Sequence, residues 1–267
     1  MSTTASTDTP MRDVRALFFL VLVMSIPLYT ISAFVPQEMV MFLALTLAPI
    51  PILAAPLLTC RAAGSTGAKQ LLSRAFDCRR IKPKAWYLPI FLLLPALFLL
   101  ALGITIFLGK PVPEPLFPLV AAPVAFLLFF PLALFEEVGW MGYAFEPMQA
   151  RWTDLKASIV LGLLWALWHI PFYYFAGLEP GWIVGQLFAL VALRTLMAWL
   201  YSNTRKSVFG TILFHAVYNV CTLAFPSYYS PMGHALTSAF IVTSGLVIVF
   251  LWGPDTLARV RFEYENR

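Results

Sequence analysis

Charge is scarce in this 267-residue chain: Asp, Glu, Lys and Arg make up 12% of it, about half the roughly 25% typical of a soluble globular domain. Too little charge is present to cover a domain surrounded by water. Cysteine is scarce as well, and Cys60, Cys78 and Cys221 fall in no zinc-ribbon spacing. A disulfide framework and a structural metal are therefore not indicated, and the three read as free thiols. Three protease signatures are missing: HExxH, GxGD with two membrane aspartates, and the GxSG serine motif. Every Asp lies outside the apolar runs.

What is abundant is apolar sequence, 60% of residues with a mean hydropathy of +0.81. A helix needs about 20 apolar residues to cross a bilayer core. Runs of that order cover 17–34, 39–59, 86–108, 116–135, 157–175, 182–201, 208–225 and 235–252. The expectation is an all-α, polytopic membrane bundle of about eight transmembrane helices at 17–252, with a tail at 1–16 and another at 253–267. The first run is longer than a signal-peptide h-region and no clean A-x-A site follows it, so it reads as a retained anchor. The stretch 61–84 reads as a soluble loop with some amphipathic helix at the membrane surface. No internal repeat of the kind found in duplicated transporters is visible.

The basic residues set the orientation, because cytoplasmic loops retain Lys and Arg. With the N-terminus inside, the inner set holds Arg12, Arg15, Arg61, Lys69, Arg74, Arg79, Arg80, Lys82, Lys84, Arg151, Lys156, Arg205, Lys206, Arg259, Arg261 and Arg267, and the outer loops keep only Lys110. Both termini are thus expected in the cytoplasm, of a multi-pass protein of the cell membrane. The asymmetry also accounts for the net charge of +5 without a nucleic-acid partner.

An ionisable group at the centre of a membrane helix costs at least ~2.5–3.5 kcal/mol, so each one raises a functional question. Glu136 and Glu137 close one apolar run, yet 138–145 stays apolar and the helix is expected to continue. At 1.5 Å per residue, Glu136 lies about 13 Å from the cytoplasmic end of its helix, His169 about 18 Å, and His215 and Asn219 about 11 and 17 Å. Three helices thus bring polar groups to similar depths, and buried polar groups need partners. Two imidazoles and an amide or carboxylate oxygen suit a divalent ion with an open position for water, while a carboxylate outside the ligand set takes the water's proton. Adjacent helical residues point about 100° apart. Glu136 is therefore expected to be the base and Glu137 a partner that orients a histidine. A lone intramembrane His packs about as often as it ligates, and an Asn in a span is more often glue between helices. The matched depth of five groups is what argues against packing alone. Trp140, Trp165, Trp168 and Phe172 read as packing and interface residues. Arg194, about 10 Å from the end of its helix, either snorkels to the interface, pairs with Glu137, or meets a substrate carboxylate.

These residues resemble a family, the CPBP intramembrane metalloproteases of the Abi or CAAX prenyl protease 2 type. Its pattern is EExxxR, FxxxH and then HxxxN or HxxxD; here Glu136-Glu137-Val-Gly-Trp-Met141, Trp165-Ala-Leu-Trp-His169 and His215-Ala-Val-Tyr-Asn219 follow in order. The resemblance implies that Glu136, Glu137, His169, His215 and Asn219 form the site. It implies a divalent metal, Zn2+ first, on His169, His215 and Asn219. Beside that set, Arg194 and Trp165 are expected to support the site or the substrate. It also implies a membrane-associated peptide or protein substrate, of the prenylated CAAX type or of the peptide and bacteriocin type. Two positions depart from the pattern: Trp165 stands for Phe, and Met141 for Arg. Either Arg194 supplies the missing charge, or the substrate differs, or activity is lost. The competing functions are a non-catalytic membrane scaffold or immunity protein, motivated by Met141, and a proton-relay transporter using the same Glu and His residues.

Overall fold

The computed structural model describes residues 11–113 and 118–258, with backbone alone for Arg12 and Leu119. The expected N-terminal tail up to residue 10, the start of the fourth apolar run at 116–117, and Arg259, Arg261 and Arg267 lie outside the described residues. The described residues are helical throughout, without a strand: α1 (Met11–Ser32), α2 (Gln37–Leu45), α3 (Pro49–Ser73), α4 (Tyr87–Phe107), α5 (Ala122–Glu137), α6 (Phe145–Gln149), α7 (Asp154–Phe175), α8 (Pro180–Asn203), α9 (Val208–Ala224) and α10 (Pro231–Trp252). A π-helix at Val138–Ala144 joins α5 to α6, so the helical path does continue past the two glutamates.

The chain is an integral, multi-pass membrane protein. Seven of its described helical stretches are long and apolar enough to cross a bilayer, and they carry large apolar side chains on their outer faces, among them Phe19, Phe42, Phe107 and Leu127. The remaining expected run, 208–225, is α9, of 17 residues, which at 1.5 Å per residue reaches about 26 Å, short of a full core. Local chemistry sets its length. Ser207 caps its N-terminus by accepting from the Gly210 amide, and Pro226 follows its last turn. Thr153 and Ser230 cap α7 and α10 in the same way, satisfying amides that a helix start leaves unpaired.

Two expectations are corrected. The run at 39–59 is two helices, because Pro49 lacks the amide that would bond back to Leu45 and α3 begins at that proline. The stretch 61–84 is not mainly a loop. Helix α3 continues to Ser73 through a break at Gly64, whose φ of 68° suits a residue without Cβ, and short 3-10 turns carry the chain to Trp86.

The interior is built around α7, α8 and α9, with α8 packed between α7 and α10, and α9 against α4 and α5. Of the apolar window of α8, 61% is buried, against 22% for α1, which places α8 at the centre and α1 at the rim. Gly162 sets the approach of α7 to α8: a Cβ there would lie 2.9 Å from the Val191 Cα and 3.1 Å from the Arg194 Cβ. The bare backbone is what lets Arg194 enter the level of the glutamates.

Candidate active site

Glu136 and Glu137, the last residues of α5, face different neighbours, as a rotation of about 100° per residue requires. Glu137 has no exposed surface. Its Oε2 accepts from Arg194 Nη1 at 2.6 Å and its Oε1 meets His215 Nδ1 at 2.9 Å. Glu136 retains 8% exposure, and its Oε2 accepts from Trp165 Nε1 at 2.7 Å. Helices α5, α7, α8 and α9 therefore meet at the two carboxylates.

Trp165 is the hub of this level. Besides its bond to Glu136, its ring lies edge-on to His169 and to His215, each with centroids 5.3 Å apart. The Arg194 guanidinium sits over its face at 4.2 Å. The bond to Glu136 uses an N–H that the family's phenylalanine lacks. Arg194 is fully buried and does not snorkel. Its Nε and Nη2 find no acceptor among the described residues, and the indole face offsets part of that cost. Met141, at the position where the family pattern has Arg, is buried and apolar in the π-helix. The cation that meets Glu137 arrives from α8 instead.

Both histidines are held through Nδ1. His169 Nδ1 lies 2.8 Å from the carbonyl oxygen of Trp165, one turn earlier in α7. A carbonyl only accepts, so this nitrogen carries the proton. For His215, the partner oxygen belongs to the carboxylate paired with Arg194, and the same tautomer follows. Each ring is left with an Nε2 lone pair. A carboxylate behind an imidazole is the arrangement that orients a metal-bound histidine, so the donor chemistry fits a divalent ion in two of its ligands. Among the described residues no three His, Cys, Asp or Glu side chains gather as an ion site, so a third protein ligand would be the Asn219 amide. Asn219 is half-buried one turn after His215 in α9. Its printed bond is through the backbone, whose carbonyl accepts from Thr222.

Sequence reading missed a second polar layer beside the histidines, formed by Tyr173, Gln186, Tyr218 and Tyr228. Gln186 was the available signal, a primary amide inside an apolar run. A separate cavity of about 520 Å³ lies between α3 and the π-helix, lined by Gln70, Arg74, Asp77, Arg80, Tyr143 and Glu146 among others. It includes none of the residues above. Its two guanidiniums are matched by two carboxylates.

The profile of the type II CAAX prenyl endopeptidase Rce1-like family matches residues 115–221, an interval that contains every residue of the site. The CAAX prenyl protease 2 of Methanococcus maripaludis is 30% identical over 185 residues, covering 64% of this chain and 67% of that protein. The chain belongs to this family. Membership in the type II CAAX prenyl endopeptidases supports an endopeptidase activity seated within the membrane. On this chain, the family's motifs occupy the end of α5 and the interiors of α7 and α9.

Proposed function

We propose that the protein is an intramembrane, metal-dependent endopeptidase that cleaves a membrane-associated peptide or protein at the cytoplasmic side of the cell membrane. The substrate class is a CAAX-type prenylated protein, as the name of the Methanococcus relative suggests. The observation that carries the reading is the division of labour between the two glutamates. Both oxygens of Glu137 are engaged by Arg194 and His215, whereas Glu136 is engaged through one oxygen and keeps some exposure.

Glu136 is the general base. Trp165 fixes the carboxylate through Oε2, and Oε1 takes the proton of the attacking water. As the water oxygen bonds to the scissile carbonyl carbon, the proton passes to Glu136 and then to the departing amine nitrogen when the C–N bond breaks, the acid–base exchange expected of a single carboxylate. His169 and His215 through Nε2, with Asn219 through its amide oxygen, would hold a divalent ion, Zn2+ first. When bound, the ion supplies Lewis-acid polarisation of the carbonyl or the water. Glu137 and Arg194 do not touch the reacting atoms. They keep His215 oriented and its Nδ1 protonated.

The test is metal content and cleavage together, on detergent-purified wild type beside His169→Ala and His215→Ala, with a prenylated CAAX peptide and an unprenylated control. Stoichiometric metal that both substitutions remove, together with cleavage of the prenylated peptide, supports the proposal. A well-folded wild type that binds no metal and cleaves neither peptide would sink it and favour the scaffold.

A further inference from the structure

We propose that Gln186 is a positioning residue that fixes the His169 imidazole through a polar cluster of tyrosines. The proposal rests on the reading of His169 as a site residue. Gln186 is 3% exposed, in the first half of α8. Its Nε2 donates to the Tyr218 hydroxyl at 2.9 Å and to the Tyr173 hydroxyl at 3.4 Å. Its Oε1 accepts from the Tyr228 hydroxyl at 2.7 Å, and the Tyr218 and Tyr228 hydroxyls are 3.1 Å apart. A primary amide has two donors and one acceptor oxygen, and here all of them are engaged.

The partners are placed where they act on the site. Tyr173 follows His169 by four residues in α7, so the two share a helix face, and their rings stack with centroids 5.9 Å apart and planes 21° from parallel. Tyr218 is three residues after His215 and immediately before Asn219 in α9. Tyr228 lies in the short turn after α9. One amide on α8 therefore joins α7 and α9 just beyond the two histidines.

Interhelical polar bonds in membranes are individually weak, so simple adhesion would not need a closed ring of Gln186, Tyr218 and Tyr228 with Tyr173 joined to the same amide. The feature that points to positioning is the state of His169. Its Nδ1 bond goes to its own helix, at Trp165, and no described hydrogen bond reaches it from another helix. What sets the ring against the rest of the bundle is contact with Trp165, Trp168 and Tyr173. Tyr173 is the one of these whose hydroxyl is tied to α8.

The chain has three histidines, His169, His215 and His234, so protein labelled with 15N-histidine gives three imidazole nitrogen pairs, assignable with single His→Gln variants. These report tautomer and ring order without turnover. In wild type, His169 is expected as one Nδ1–H tautomer. In Gln186→Leu, the His169 pair should shift or broaden while His215, held by Glu137, stays in place. On the prenylated peptide kcat should fall about tenfold or more with KM little changed, as small misplacements of reacting groups do. Gln186→Glu, whose neutral carboxyl keeps the acceptor for Tyr228 and one of the two donors, should restore both readouts in part. Gln186→Leu protein that melts lower but keeps the His169 signals and kcat would show the ring to be adhesion only and overturn the proposal. The nitrogen signals decide even if no peptide is cleaved, so failure of the protease reading is seen separately.

Discussion

Two carboxylates among the described residues each meet two nitrogen donors, in opposite surroundings. Glu137 meets Arg194 and His215, and the three side chains are 0%, 0% and 3% exposed. Glu146 meets Arg74 at 3.4 Å and Lys206 at 2.5 Å, with side chains 43%, 22% and 48% exposed. The donors and acceptors are alike, but solvent makes the energetics different. An exposed pair gains little because water and salt screen it. A fully buried group has no such alternative, so removing one partner strands a charge. The buried cluster is therefore where the chain commits stability to hold a histidine in one tautomer, while the exposed cluster ties α6 to the start of α9 at low energetic stake.

Substitutions that strip one partner should separate the two clusters. Arg194→Leu leaves Glu137 facing His215 without its guanidinium and should cost about 3–5 kcal/mol, read as a large fall in melting temperature in detergent. A melting temperature within a degree of wild type would contradict the reading of that cluster. Glu136→Gln keeps the shape and the acceptor for Trp165, so folding should survive. Cleavage should drop by about 100- to 10,000-fold, the range for loss of a general base. Trp165→Phe restores the family's aromatic residue and removes one bond to a carboxylate, worth ~1.5–3 kcal/mol. Loss of that bond predicts roughly a ten- to hundredfold fall in kcat, and unchanged kcat would show the indole N–H to be idle. Glu146→Gln should move stability by only about 0.2–1 kcal/mol and leave cleavage alone. A double-mutant cycle with Lys206→Met measures that small coupling directly.

Much of this was legible in the residues, for physical reasons. Apolar runs of bilayer length marked the helices, and charged or amide groups inside them stood out because lipid makes them costly. The helix period assigned Glu136 and Glu137 different neighbours before any contact was known. Less legible were features that depend on a second helix. Met141 raised the question of a missing charge, and Arg194 was one of three answers. Only packing across Gly162 brings that guanidinium to Glu137. Trp165 looked like a mild replacement for Phe, since sequence does not show where an indole N–H points. The tyrosine ring around Gln186 was invisible because each tyrosine alone reads as an interface residue. The break at Pro49 was local, but a run of apolar residues on both sides concealed it.

The most direct test compares two adjacent isosteric substitutions, Glu136→Gln and Glu137→Gln, by melting temperature and cleavage of the prenylated peptide in the same preparation conditions. The account predicts that Glu136→Gln keeps the wild-type melting temperature and loses about 100-fold or more of its cleavage, and that Glu137→Gln melts far lower. Equal melting temperatures for the two variants, or cleavage by Glu136→Gln within about tenfold of wild type, would contradict it.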